Sequence, residues 1–144
     1  MKKSFYLGAI LASTCLLSGC SKVLVCERSN DYNEEMKMNQ TIKVTFKKNT
    51  ITNLTMDMNI NLSNDYLEYK DELISSVEDE FANLKDTKGI AYSTKDNSNG
   101  FTFNLNADIA NLDEDTKNEL DLVNTTHSYK EAKEEFENEG YTCK

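Results

Sequence analysis

The single histidine of this 144-residue chain, His127, is the first residue to consider for catalysis, because imidazole exchanges protons near neutral pH. It follows a polar run and directly precedes Ser128. Serine chemistry of the hydrolase type also needs a nucleophile on a sharp turn, and the sequence has no Gly-x-Ser-x-Gly motif. The carboxylates fall mostly on predicted helix surfaces, where solvation explains them. We therefore predict no catalytic residue and no enzymatic activity.

Two acidic segments have the residue types that bind a divalent cation. Residues 113–115 (Asp-Glu-Asp), together with Asp121, offer the hard oxygen ligands that Ca²⁺ prefers. Residues 96–100 resemble the start of an EF-hand loop, but their glycine is in the fifth position and no glutamate closes a twelve-residue loop. A helix cap and a hairpin turn are the favoured interpretations. We predict no metal site and no cofactor, and keep cation or small-ligand binding as the alternative.

The four cysteines divide by position. Cys15 lies inside an apolar N-terminal segment and Cys20 ends it, whereas Cys26 and Cys143 lie near the two ends of what remains. A pair of cysteines in a protein outside the cytoplasm favours a disulfide. Two free thiols, or half of a metal site, are the alternatives. A Cys26–Cys143 bond would close a loop of more than 100 residues and stabilise the fold by about 4–5 kcal/mol.

The N-terminal segment has the order of features found in a secretion signal. Lys2 and Lys3 are followed by an apolar stretch over residues 5–17, which is too short to span a bilayer. The sequence Leu-Ser-Gly-Cys at 17–20 resembles the lipobox of bacterial lipoproteins. It implies a signal peptide over 1–19 and a diacylglyceryl group on Cys20, with palmitate as a typical acyl chain. A plain secretory signal and an uncleaved anchor are the alternatives.

The charge balance excludes some partners. The full chain has a formal net charge of −9, and without Lys2 and Lys3 the balance is 14 basic against 25 acidic residues, a net charge of −11. Such acidity argues against nucleic acid and against electrostatic docking on anionic lipid. Residues 20–144 have a length that supports one domain. Within it we predict a tether over residues 20–25.

Period-two alternation of apolar and polar residues predicts the strands. It is clearest over residues 36–46, 54–62 and 101–109, and shorter strands are predicted over 90–94 and from about Val23 to Cys26. Alternation of this kind gives a sheet with one buried and one solvated face. We call the solvated side the polar face. Its predicted members are Lys37, Asn39, Thr41, Lys43, Thr45, Thr55, Asp57, Asn59, Asn61, Thr102, Asn104 and Asn106.

Helical periodicity replaces alternation in three places. Residues 63–84 have an apolar stripe and possible N-cap side chains, and Asp65 with Glu68 has the spacing of a capping box. A short acidic segment runs from 113 to about 120, and Ser128 with Glu131 forms a second capping-box pattern before a helix that ends near Gly140. The order β-β-β-α-β-β-α-α predicts an α+β domain, an antiparallel sheet with helices packed on one face.

Several of these features together resemble one family. The lipobox, Cys26, the Asp-x-Lys-Gly-Ile step at 86–90 and the Gly-Tyr-Thr-Cys-Lys ending at 140–144 are similar to the YehR-like small bacterial lipoproteins, a domain of unknown function. The resemblance covers residues 20–144. It implies an α+β domain on the outer side of a bacterial membrane, and it implies no catalytic residues.

These observations predict where the protein acts more closely than what it does. We expect a lipoprotein held in the cell membrane by the lipid on Cys20, with its domain on the extracytoplasmic face. The expected role is a non-catalytic interaction module of the cell envelope that binds an envelope protein or a glycan through the polar face, because arrays of amides and hydroxyls can bind either. The alternative is a lipoprotein that binds a small ligand or a divalent cation.

Overall fold

The computed structural model describes residues 21–31, 34–119 and 127–144, and in these residues six antiparallel strands form one sheet. The strand order is β4-β5-β3-β2-β1-β6. The α+β class is therefore confirmed. The strands are β1 (Ser21–Asp31), β2 (Met36–Lys47), β3 (Thr50–Leu62), β4 (Ile90–Asn97), β5 (Gly100–Ala107) and β6 (Thr142–Cys143).

The strand register separates the two faces of the sheet as the alternation predicts. Val44 of β2 lies opposite Leu24 of β1 and Leu54 of β3, so apolar residues meet across three strands. On the other face Thr41 lies opposite Asp57, and Asp57 lies opposite Asn104 of β5. The predicted members of the polar face thus share one side of the sheet.

The first strand begins earlier than predicted. Ser21 pairs with Lys47 and Val25 pairs with Lys43, so residues 21–25 belong to β1. The tether prediction for these residues is wrong, because β2 is long enough to give each of them a backbone partner. Cys20 and the leader lie outside the described residues.

The helical elements are shorter than the sequence pattern suggests. The predicted helix over 63–84 is a 3₁₀ helix (Asn64–Tyr69), then α1 (Lys70–Glu80), then a second 3₁₀ helix (Ala82–Leu84). Ser63 makes no side-chain cap, so the predicted capping at this end is not formed. Of the remaining helices, α2 spans Glu114–Glu119 and α3 spans Tyr129–Asn138, and a 3₁₀ turn covers Ile109–Asn111.

Each helical region packs with a different part of the buried side of the sheet. Near α1, Leu73, Ile74 and Val77 pack against Ile60 and Phe101. Burial of such side chains stabilises the fold by about 1.5–3 kcal/mol each when it is complete. Near α3, Ala132 is buried in a cluster that includes Leu24, Phe46 and the cysteine pair. Leu84 and the turn at Ile109–Asn111 lie beside the start of β4 in a third cluster.

None of the helices in the described ranges is long and apolar enough to cross a membrane.

Candidate functional site

The Cys26–Cys143 disulfide is present, and the sequence prediction of this pair is confirmed. The two residues lie directly opposite each other on β1 and β6, and their Cα atoms are 4.1 Å apart. Both are buried in the cluster that contains Ala132 of α3. The bond therefore fixes the C-terminal strand at the sheet and holds α3 beside β1.

A second contact set holds the C-terminal end, and no pattern in the sequence predicted it. The guanidinium of Arg28 lies 4.3 Å from the ring centre of Tyr141 and donates to the Gln40 side-chain oxygen at 3.1 Å. The Tyr141 hydroxyl donates to the same oxygen at 2.7 Å, and Gln40 is buried. Three residues distant in sequence form this network, so it serves to position β6 and the turn before it.

His127 lies beside the start of a helix. It lies half-buried just before Ser128, the N-cap of α3. The Ser128 hydroxyl accepts from the Glu131 backbone N–H at 3.2 Å, and the Glu131 carboxylate accepts from the Ser128 N–H at 2.8 Å. This is the capping box that the sequence predicts. Hydrogen bonds from the Ser128 backbone and side chain are the main cause of a lowered pKa of Glu131, and the neighbouring His127 adds a smaller electrostatic contribution.

The two acidic segments have partners within the protein. Asp113 accepts a hydrogen bond from the Thr116 backbone N–H at 2.7 Å and thereby caps α2. Asp96 lies 2.6 Å from the Lys70 ammonium, at the end of β4. Asp121 lies outside the described residues. Within those residues, no group of three or more His, Cys, Asp or Glu side chains is arranged to hold a metal ion.

The two cap carboxylates give a pH-dependent prediction. Hydrogen bonds from the Thr116 backbone and side chain lower the pKa of Asp113, and those from the Ser128 backbone and side chain lower the pKa of Glu131. A carboxyl group whose pKa is lower in the folded state than in the unfolded state stabilises the fold at pH values above its usual pKa. This contribution is lost as the pH falls through the lowered pKa of the folded state. The two caps therefore weaken only in acid.

We expect Ser128→Ala to raise the pKa of Glu131 part of the way to its usual range, because the backbone donor at residue 128 remains. Carboxyl-carbon NMR titration measures this change directly. Asp113 provides the internal control, since its pKa should not move in the same variant. An unchanged Glu131 pKa in Ser128→Ala would contradict the assigned cause.

The polar face contains a hollow of about 470 Å³ near the outer edge of the sheet. We call it the polar hollow. Its volume falls within the range of small-molecule sites. Small side chains on β4, at Ala91 and Ser93, leave this space beside the longer side chains of β5 and β3. The polar members of its lining are Lys43, Thr55, Asp57, Ser93, Asn104 and Asn106.

The chemistry of the polar hollow suits recognition by hydrogen bonds. Asp57 offers a half-buried carboxylate, and Asn104 offers an amide beside it on the neighbouring strand. Lys43 and Asp57 both line the hollow and, in the part of the chain that the structure describes, form no ion pair with each other. His127 is not part of the lining. The hollow thus combines donors and acceptors without a paired base and nucleophile.

A second hollow, of about 600 Å³, lies on the other side of β4. We call it the edge hollow. Ile90 and Tyr92 contribute apolar surface from the strand, while Glu78 and Asp79 contribute carboxylates from the end of α1. Tyr92 is part of an aromatic group with Phe81 and Phe103. No pattern in the sequence predicted this hollow, because it depends on β4 being the outermost strand.

Comparison with known proteins supports the fold alone. A solved structure described as the NMR structure of the protein from Streptococcus pneumoniae TIGR4 is similar with a TM-score of 0.63, at 13% sequence identity. The match covers 100% of this chain and 97% of that chain. No family model matches the sequence, and no curated protein matches it.

Proposed function

We propose that the chain is a lipid-anchored bacterial lipoprotein whose domain binds a partner outside the membrane and catalyses no reaction. The order of features in the leader supports the anchor on Cys20. The Cys26–Cys143 disulfide supports an oxidising compartment, because structural disulfides persist there. The resemblance to YehR-like lipoproteins supports the same location.

The start of β1 bears on how an anchored domain would lie. Ser21 already pairs with Lys47, so the lipidated Cys20 would directly precede the first residue of the sheet. Two acyl chains hold a protein stably on a membrane. The turn between β2 and β3, at Lys47 and Lys48, would then lie close to the lipid headgroups. The polar face would extend away from the membrane surface.

We expect Cys20→Ser to abolish incorporation of labelled palmitate. The thiol at residue 20 is the proposed attachment atom, so nothing else should accept the lipid. Cys15→Ser is the matched control, because Cys15 lies inside the proposed signal peptide, and it should leave labelling intact. Labelling of the Cys20→Ser protein would contradict the proposal.

The polar hollow is the observation that carries the interaction role. It joins charged, amide and hydroxyl groups from four neighbouring strands in one concave surface. Recognition of an envelope protein or a glycan needs such convergent polar groups, and neither needs a metal or a nucleophile. A small polar ligand is the second candidate, since the volume of about 470 Å³ would admit one.

Photo-crosslinking in the intact membrane tests this role. A benzophenone amino acid at Asn106, in the polar hollow, should give a covalent adduct with a protein or glycan, and the same probe at the exposed Lys130 on α3 should not. Adding Thr41→Glu and Thr102→Glu to the Asn106 probe should remove the adduct, because both positions lie on the polar face. Equal adducts from Asn106 and Lys130 would contradict the role, and thermal stabilisation by a small ligand without any adduct would favour the second candidate.

A further inference from the structure

We propose that the outer edge of β4 accepts an extended peptide segment of a partner protein as an additional strand. In this arrangement a long basic side chain of the peptide occupies the edge hollow, and the next side chain, uncharged and hydroxyl-bearing, lies over the polar hollow. The inference rests on the proposed interaction role and names its partner class. The two hollows lie on either side of the same stretch of β4, because both are lined by Ala91, Tyr92 and Ser93.

The backbone of β4 has hydrogen-bonding groups directed away from the sheet. A two-residue turn joins Asn97 to Gly100, and the Gly89 oxygen accepts from the Asp108 N–H at 2.7 Å. Because hydrogen bonding in an antiparallel pair alternates along the strand, odd-numbered residues of β4 bond to β5. Tyr92 and Thr94 therefore direct their N–H and C=O groups outward. Within the described ranges, no strand pairs with this edge.

Both ends of the unpaired edge are closed by contacts within the protein. At the start, the Ile90 N–H donates to the Thr87 oxygen at 3.1 Å. At the end, the Lys70 ammonium donates to the Asn97 oxygen at 3.2 Å and lies beside Asp96. The stretch between them has room for a short extended segment and would supply up to four backbone hydrogen bonds. Backbone bonds of this kind give affinity in strand addition, and pockets for alternate side chains give specificity.

The edge hollow fits a lysine or arginine side chain. Its apolar surface comes from Ile90, Tyr92 and Ala82. Its carboxylates come from Asp79 and from Glu78, which also accepts a hydrogen bond from the Thr94 hydroxyl of β4. Lysine and arginine bury an apolar stem and keep a charged head exposed, which matches this combination. Lys85 also lines the hollow, so the lining has two carboxylates and one ammonium. The resulting net negative charge favours binding of a cation.

The other side of the edge favours an uncharged side chain. Ala91 and Ser93 are small and exposed there, so they leave space for a neighbouring residue. In the polar hollow the charge of Lys43 is offset by that of Asp57, and Lys95 lies exposed on the same side of β4, so a second basic residue would meet a net positive charge. Successive side chains of a strand point to opposite faces, so basic and hydroxyl-bearing residues should alternate in the peptide.

Charge argues against a second copy of this chain as the occupant. Pairing of two β4 edges about a twofold axis would bring together two edge hollows, each with two carboxylates and one ammonium, since Asp96 is already paired with Lys70. The full chain is also strongly acidic, with a net charge of −9. Like charges facing each other across an interface oppose association. A basic segment from another protein would instead be attracted to the carboxylates at this edge.

The test uses a fluorescent ten-residue peptide of alternating lysine and threonine, with the full chain held in a neutral detergent. Fluorescence anisotropy should show saturable binding. The same peptide with N-methyl groups on alternate backbone amides, in both registers, should bind at least tenfold more weakly, because methylation removes the strand hydrogen bonds and keeps the charge. Thr94→Pro should weaken binding by a similar factor, because proline lacks the outward N–H. Thr94→Val is the matched control: like proline it removes the hydroxyl that donates to Glu78, but it keeps the backbone N–H, so weaker binding of Thr94→Pro than of Thr94→Val reports the strand hydrogen bond.

Two charge-matched double variants distinguish peptide binding in the edge hollow from general electrostatic attraction to the acidic protein. Glu78→Gln with Asp79→Asn should weaken peptide binding at least tenfold, whereas Asp71→Asn with Glu72→Gln removes the same charge from an exposed part of α1 and should not. Equal losses in both pairs, or equal binding of the N-methylated peptides, would show non-specific attraction and overturn the inference.

Peptide binding tests strand addition at β4, and photo-crosslinking tests the interaction role of the polar face, so one proposal can fail while the other holds. Absence of peptide binding at millimolar concentration overturns strand addition, while an adduct from the Asn106 probe would still support the role of the polar face. Saturable binding that depends on Thr94 and the Glu78–Asp79 pair supports strand addition directly. An adduct lost in Thr94→Pro would extend that support to the partner in the membrane.

Discussion

Replacing Cys26 and Cys143 together with alanine should lower the free energy of unfolding by about 5 kcal/mol, the largest effect that we expect from a pair of substitutions. The bond joins residues separated by 117 positions, so its loss frees almost the whole unfolded chain. In the chain-entropy account, the stabilisation grows with the logarithm of the closed loop. The midpoint of thermal unfolding should fall by about 15 °C or more.

Urea unfolding of the chain from Ser21 measures this effect. Cys26→Ala alone should cost about as much as the double variant, because a single remaining thiol cannot form the bond. Reduction of the unaltered protein provides an independent comparison without a mutation, and it should give a similar loss. A change below about 1 kcal/mol in all three would contradict a stabilising role for the bond.

The two faces of the strands could be predicted from the sequence because the alternation of apolar and polar residues follows directly from burial of one face. In β3, Leu54 and Ile60 face the core while Thr55 and Asp57 face the polar side, and each lies opposite a residue of like character on β5. The hairpin turn favoured for residues 96–100 is also present, as a two-residue turn at 98–99 between Asn97 and Gly100. These features depend on neighbours in the sequence.

Features that depend on distant pairing were missed. Residues 21–25 carry mixed side chains and read as a tether, yet β2 supplies a backbone partner for each of them. The two-residue β6 is too short for a pattern, and the disulfide and the Tyr141 contacts hold it. The edge hollow exists because β3 pairs with β5, which leaves β4 outermost. No periodicity in the sequence predicts that β3 pairs with β5.

A different long-range constraint makes Gly100 the most sensitive glycine of the described chain. It begins β5, has a φ of +151°, and is buried against β3. A Cβ atom at this position would lie 1.9 Å from the Ile60 backbone oxygen and 2.9 Å from the Ile60 carbonyl carbon. Backbone atoms cannot rotate away as a side chain can, so the two strands would have to separate. The damage would fall on the pairing that unites the β4–β5 hairpin with the rest of the sheet.

We therefore expect Gly100→Ala to lower the free energy of unfolding by about 3 kcal/mol or more, from backbone strain and overpacking together. Gly140→Ala is the matched control, since Gly140 also has a positive φ of +90° but its Cβ would meet no atom within 4 Å. That variant should lose about 1–2 kcal/mol, the cost of a left-handed conformation alone. Urea unfolding of both variants separates the two causes. Equal losses would mean that φ alone decides the cost and that β3 and β5 can move apart freely at this point.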